Sequence, residues 1–205
     1  MSDQIRPVPE PDFELIRALV VADALYLHRP ETPNDRQVIE RMKAAPDKET
    51  LMRGFREYAG QMHVPTDAGV FEEGLVGILR RIPPAWGRWI RVDKGWYSII
   101  VRCDRDLARL DPNYEVHQVK QKYGGLRYYF SASTEDEEVR QAMLARAGQA
   151  EAEAATTCER CGRNRGGACR PVGAPRGWRR TLCDGCAHTL GYEREPEHPE
   201  STTQS

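Results

Sequence analysis

Apolar residues crowd the stretch from Phe13 to His28, where Phe13, Leu15, Ile16, Leu19, Val20, Val21, Leu25 and Leu27 leave few polar positions. A helix apolar nearly all round is predicted to be buried on most sides. Thr32-Pro33 supplies a cap followed by proline at the first helical position, opening a short helix with Val38, Ile39 and Met42. Pro46-Asp47 starts another, in which Leu51, Phe55, Tyr58 and Met62 fall at spacings of four, three and four before Val64-Pro65-Thr66 breaks it. Phe71, Leu75, Ile78 and Ile82 repeat that spacing in a further helix ended by Pro83-Pro84. Residues 1–90 therefore read as a helical region behind an extended leader carrying Pro7, Pro9 and Pro11. Its histidines, His28 and His63, read as helix-end residues facing solvent or the helix dipole.

The period changes further on. Trp86 and Trp89 beside Arg88 and Arg91 read as a linker whose tryptophans plug a gap between layers, although such interleaving also suits nucleobase stacking. Asp93 is a candidate cap for a helix starting near Gly95, with the stripe Trp96, Ile99, Ile100, Cys103, Leu107 and Leu110. Cys103 lies on that stripe as a small buried hydrophobe. Asp111-Pro112 ends the helix, because the residue before proline avoids the α region. Val116–Tyr123 and Leu126–Ser131 alternate as strands about Gly124-Gly125, a pair suited to a tight hairpin turn. Ser133 or Thr134 is predicted to cap an alanine-rich helix from Glu135 to about Ala155.

Charge sharpens this division. The net charge of -1 conceals an acidic N-terminal part, a basic stretch from Arg80 to Arg127 and a basic C-terminal region after Cys158. Such asymmetry suits a polyanion partner, or acidic and basic parts of one molecule packing together. No segment is apolar enough to span a bilayer and no signal-like run opens the chain, so a cytoplasmic, reducing location with no membrane partner is expected.

The chemistry concentrates in Cys158-Glu159-Arg160-Cys161-Gly162 and Leu182-Cys183-Asp184-Gly185-Cys186. Two Cys-x-x-Cys pairs supply the four thiolates of a tetrahedral Zn2+ site, and a site filled by four protein ligands is structural, with no position open for catalysis. Disulfides would require an oxidising compartment, and a redox pair would sit singly at a helix start. Cys169 and His188 are candidate replacement ligands, or a spare thiol and a surface histidine. A knuckle at Cys158–Cys161, a hairpin through Trp178-Arg179-Arg180 and a helix carrying Cys183 and Cys186 would make a treble clef, with a zinc ribbon as the alternative. The expected architecture is α+β: helices over 1–90, a helix and hairpin core with a long helix over 91–157, a zinc finger over 158–192 and a disordered tail over 193–205.

Gly95-Trp96, then Lys120-Gln121-Lys122-Tyr123-Gly124-Gly125-Leu126-Arg127-Tyr128-Tyr129, then the four cysteines resemble a pattern in small uncharacterised proteins of bacteriophages, prophages and their hosts. The likeness covers roughly Gly95 to Cys186 and implies a phage or mobile-element setting without a mechanism. The order of helix and four cysteines also resembles the DnaK-suppressor type of RNA-polymerase regulator, whose coiled coil with an acidic tip this chain lacks.

Three functions compete. The first is a zinc-stabilised, non-enzymatic protein binding DNA or RNA. Its contacts would come from Arg163, Arg165, Arg176, Arg179 and Arg180 in the finger, then Lys120, Lys122 and Arg127 on the hairpin. The hairpin's cations have a plainer role too, since lysines blunt an exposed strand edge. The second is an interaction module acting on a host protein. The third is a treble-clef nuclease, for which His188 and His117 are the only histidines at hand, with His198 in the tail. No His-Glu-x-x-His, phosphate-binding Gly-x-x-x-x-Gly-Lys or Gly-x-Ser-x-Gly motif accompanies them. Oligomeric state is not legible.

Overall fold

Three helices make the first of two compact units, Met1–Gln61: α1 (Phe13–Leu27), α2 (Pro33–Lys43) and α3 (Lys48–Gly60). The structure is a computed structural model that describes residues 12–27, 33–174 and 178–196. Helix α3 begins where Asp47 accepts the Thr50 N–H at 2.7 Å, and buries Leu51 and Tyr58 beside Val38, Ile39 and Met42 of α2. Helix α1 is less buried than its composition predicts. Leu15 and Leu19 are 54% and 61% exposed, because α2 and α3 cover only one side of it. His28 and the cap at Thr32 lie outside the described residues.

The second unit, Met62–Ser205, begins earlier than the sequence division at residue 90. It contains β1 (Met62–His63), α4 (Glu72–Arg81), β2 (Arg88–Arg91), α5 (Tyr97–Leu110), β3 (Glu115–Lys122), β4 (Gly125–Ser131) and α6 (Glu137–Thr156). It continues with β5 (Gly167–Pro171), β6 (Arg180–Leu182), α7 (Asp184–Leu190) and β7 (Tyr192–Arg194). The fourth helix belongs here because Leu75, Ile78, Leu79 and Ile82 bury against the same core as α5 and the sheet. No helix among the described residues is long and apolar enough to cross a membrane.

Strands β1 to β4 form one sheet in that order, with β1, β2 and β3 parallel and β3 antiparallel to β4. Helix α5 is the crossover that parallel strands require. Ile90, Val119 and Tyr128 form one cross-strand row and are buried, together with Val116 and Leu126. Arg91, Lys120 and Arg127 form the neighbouring row, so alternation turns them to the opposite face. Strands β1 and β2 replace the expected helix end and linker. Two and four residues are too few to display a period, and Trp89 and Ile90 bury between two arginines. His63 is accordingly buried, its ring 5.8 Å from that of Trp89, rather than solvated at a helix end. Trp86 is exposed and stacks on His117, with ring centroids 4.6 Å apart.

Tyr114 buries a polar centre under α5: its hydroxyl donates to Asp104 at 2.5 Å and lies 3.1 Å from the Tyr128 hydroxyl. Arg81 pairs with Asp104 at 3.1 Å and covers the Tyr114 ring. Burial pushes both phenols above their ordinary pKa, keeping them neutral donors.

Two local expectations shift by a few residues. The hairpin turn is Tyr123-Gly124, not Gly124-Gly125: both residues have positive φ, 53° and 82°, as a two-residue type I′ loop requires. Helix α6 is capped by Asp136, which accepts the Glu138 and Val139 N–H groups. Ser133 instead donates its amide and hydroxyl to Asp111.

Candidate metal centre and the basic surface beside it

Helix α6 ends by handing the chain to Cys158. The Gly162 N–H donates to the Cys158 carbonyl at 2.9 Å and the Cys158 N–H to the Arg163 carbonyl at 2.9 Å, closing a tight turn about the first pair. Gly162 has φ 74°, the left-handed backbone that lets the turn reverse. The second pair comes from the other end of the module: Cys183 is the residue before α7 and Cys186 lies in its first turn. Gly191, also left-handed, ends α7 and passes the chain to β7.

The four sulfurs of Cys158, Cys161, Cys183 and Cys186 lie within 4.8 Å of one another, and those of Cys161 and Cys183 are 3.7 Å apart. That is too long for a disulfide, and all four are free thiols. An ion bound by thiolates at about 2.3 Å places tetrahedral sulfurs about 3.8 Å apart, so the group fits a metal ion. Electrostatics agree. The Cys186 amide, donating to Cys183 Sγ, is the main cause lowering that thiol to about 7. Burial pushes Cys186 up to about 12 and also raises Cys161, against the Arg163 amide. Ionising all four is unfavourable until a cation supplies the compensating charge. Comparison with protein-family models, curated proteins and solved structures finds no match in any of the three.

Neither replacement ligand joins the group. Cys169 is buried on β5 and its thiol donates to the Gly167 and Leu182 carbonyls, while His188 is exposed on α7. His117 sits on β3 with Nε2 3.0 Å from the Ser131 hydroxyl. His198 lies outside the described residues.

The module's strands are ordered β6-β5-β7, so its sheet is centred on β5, which the sequence left unassigned. Strand β7 carries the module past residue 192, into what reads as tail: its Glu193 and Arg194 pair with β5, and residues from 197 lie outside the described ones.

The core grips the module at the Gly95-Trp96 corner. The Gly95 N–H donates to the Glu159 carbonyl at 2.8 Å, and the Trp96 indole N–H to the Thr157 carbonyl at 2.7 Å. A Cβ on Gly95 would stand 2.2 Å from the Cys158 oxygen, so only glycine permits the approach. The Glu159 carboxylate, between the paired cysteines, is 3% exposed and bound by Arg180, whose guanidinium also holds Asp93. Burial pushes this carboxyl above its usual value, with Arg180 opposing.

That pairing changes the part assigned to the arginines. Arg180 is an internal strut, Arg179 pairs with Glu195 at 2.8 Å, and Arg127 turns toward Glu151 of α6 at 3.4 Å. Arg163 and Arg165 are exposed beside the knuckle, whereas Arg176 lies outside the described residues. Lys120 and Lys122 stay on the hairpin, each over a tyrosine ring: Tyr129 at 5.6 Å and Tyr123 at 5.5 Å. They line a cavity of about 380 Å³ with Arg91, Tyr123, Trp178 and Arg179. Gln121 ties its walls together, accepting from the Trp178 indole at 3.3 Å and donating to the Arg179 carbonyl. The Thr181 hydroxyl donates to the Gly124 carbonyl at 2.5 Å, fixing β6 to the hairpin tip. Arg91 and Trp178 are members of this site that sequence reasoning placed elsewhere, one in a linker and the other in a finger hairpin.

Proposed function

We propose that the chain is a zinc-stabilised, non-enzymatic binding protein that contacts nucleic acid through the basic face of its hairpin where the finger meets it. Four clustered thiolates suit zinc, and a fully protein-ligated ion is a scaffold. The order of knuckle, strands and a helix carrying the second pair supports a treble clef over a ribbon. The observation that carries the nucleic-acid reading is the pair Arg91 and Lys120, with Lys122 beyond it on the same sheet face, while Arg127 of that row is taken up by Glu151. Finger arginines contribute less than their number suggests, because Arg179 and Arg180 hold partners within the unit.

Metal analysis of purified protein with a salt-titrated shift assay on DNA and RNA tests both halves. One zinc per chain is expected, and affinity that falls steeply with salt as condensed counterions are released. Binding indifferent to salt, or none, defeats the nucleic-acid half.

A second reading, a phage or mobile-element module acting on a host protein, draws on one observation. An open groove between α4 and α5 is lined by Phe71, Val101 and Ala108 amid mixed charges, with Val70 93% exposed at its edge. Co-purification of a stoichiometric protein without nucleic acid would favour it. The nuclease alternative gains no observation, since His188 and His117 stand as described above.

A further inference from the structure

The cavity between the hairpin tip and the finger combines three properties that general charge attraction does not require. First, it is concave and of the size of a small-ligand site, at about 380 Å³. Second, its lining carries four cations; Glu195 pairs with Arg179 from outside the lining, and Lys120 is pressed toward its neutral form by burial and then by Arg91 and Lys122. A site that crowds positive charge in this way is completed by an anion. Third, it exposes two large aromatic rings, Tyr123 at 76% and Trp178 at 59%.

Tyr123 is the most informative of these. It is the only non-glycine residue with positive φ among the described residues, at 53°. Asparagine, aspartate and glycine are the residues that type I′ turns favour there. A bulky side chain in the left-handed region costs stability and gains no burial in return, a pattern that marks functional positions. Its ring carries the Lys122 ammonium 5.5 Å from its centroid, so an aromatic face and a cation are presented together.

We infer that this cavity takes one unpaired nucleotide of a single-stranded nucleic acid, its base stacked on Tyr123 or Trp178 and its phosphate held by Lys120 and Lys122. The inference deepens the nucleic-acid reading and rests on it. Single strands are favoured over duplex because a base face is open to stacking only when unpaired. The hydrogen bonds from Gln121 and Thr181 position the finger's wall against the hairpin, so the pocket is shaped before the ligand arrives.

The test is fluorescence anisotropy of the full-length, metal-loaded chain with four probes: a single-stranded oligothymidylate, a duplex of equal length, an abasic strand with the same phosphates, and a phosphotyrosyl peptide. The single strand is expected to bind about tenfold or more tightly than the abasic strand or the duplex. Tyr123→Asn is expected to weaken it about tenfold while leaving the melting temperature equal or higher, since Asn-Gly is the better turn. Trp178→Ala reports on the second ring without touching the hairpin turn. Lys120→Gln with Lys122→Gln is expected to reduce the salt slope by about two. Equal, salt-dependent binding of all three nucleic acids, or wild-type affinity in both aromatic variants, overturns the pocket while leaving the broader reading intact. Binding to none of them overturns both, and preference for the peptide assigns the cavity to another ligand and overturns the inference.

Discussion

The sheet core and the metal module of the second unit are held by opposite means. The core buries a continuous cluster from Leu75 on α4 through Trp96, Ile100 and Leu107 to Ala154 on α6. The module buries Cys158, Cys169, Leu182, Cys183 and Ala187, of which two, Cys158 and Cys183, are candidate metal ligands. The second buries far fewer apolar residues than the first to offset the entropy of ordering its chain. If its four cysteines hold a metal ion, the module draws on that ion as well as on the docking contacts at Gly95, Trp96 and Arg180. Cohesion is thus general in one region and concentrated in a few atoms in the other.

Depriving the four cysteines of any ion they hold tests the contrast hardest. Chelation, or Cys158→Ser with Cys183→Ser, is expected to cost the module about 10 kcal/mol of coupled binding and folding free energy. Hydrogen exchange should then show protection lost over 158–195 and kept in α5 and α6. Loss in both regions together would mean that the core also depends on the metal. Gly95→Ala comes next. Its methyl would meet the Cys158 and Glu159 carbonyls at 2.2 and 2.5 Å, backbone atoms that cannot step aside cheaply. A loss of about 3 kcal/mol in urea denaturation is expected, with weaker metal retention. An unchanged midpoint would show that the corner does not carry the docking.

The smallest effect belongs to the core's polar side. Asp111 is buried, which raises its pKa, but the Ser133 hydroxyl and the Ser133, Asn113 and Thr134 amides outweigh burial and hold it below its ordinary 3.8. A carboxyl depressed in the folded state contributes stability in full above its unfolded pKa, and that contribution is lost as pH falls through the folded value. Wild type should therefore lose stability below about pH 4 more steeply than Asp111→Asn, which starts about 1 kcal/mol lower at neutral pH. Parallel pH profiles would contradict the assignment.

Much of this was legible in the sequence where a period or a spacing carried it. The stripes of α4 and α5, the hairpin's alternation and the two Cys-x-x-Cys pairs each repeat a geometric rule several times, and each appears in the fold. Elements that state their rule only once were missed. Strands β1, β2 and β7 are two to four residues long and are defined by partners distant in sequence. The fate of the arginines was equally hidden, since which carboxylate meets Arg180 or Arg127 depends on tertiary placement. Gly95-Trp96 stood out as a pattern before it had a physical reason. The reason is backbone contact with a turn more than sixty residues later, which no local signal encodes.

The parallel pairing of β2 with β3 sets an order of assembly. The hairpin can zip outward from its own turn within microseconds, whereas β2 can join only after α5 has folded and returned the chain. Arg91 rides on that late strand, and Trp178 and Arg179 arrive only with the finger. A newly made chain would thus display the hairpin's lysines early, and the cavity they line would be complete only once Arg91, Trp178 and Arg179 are in place.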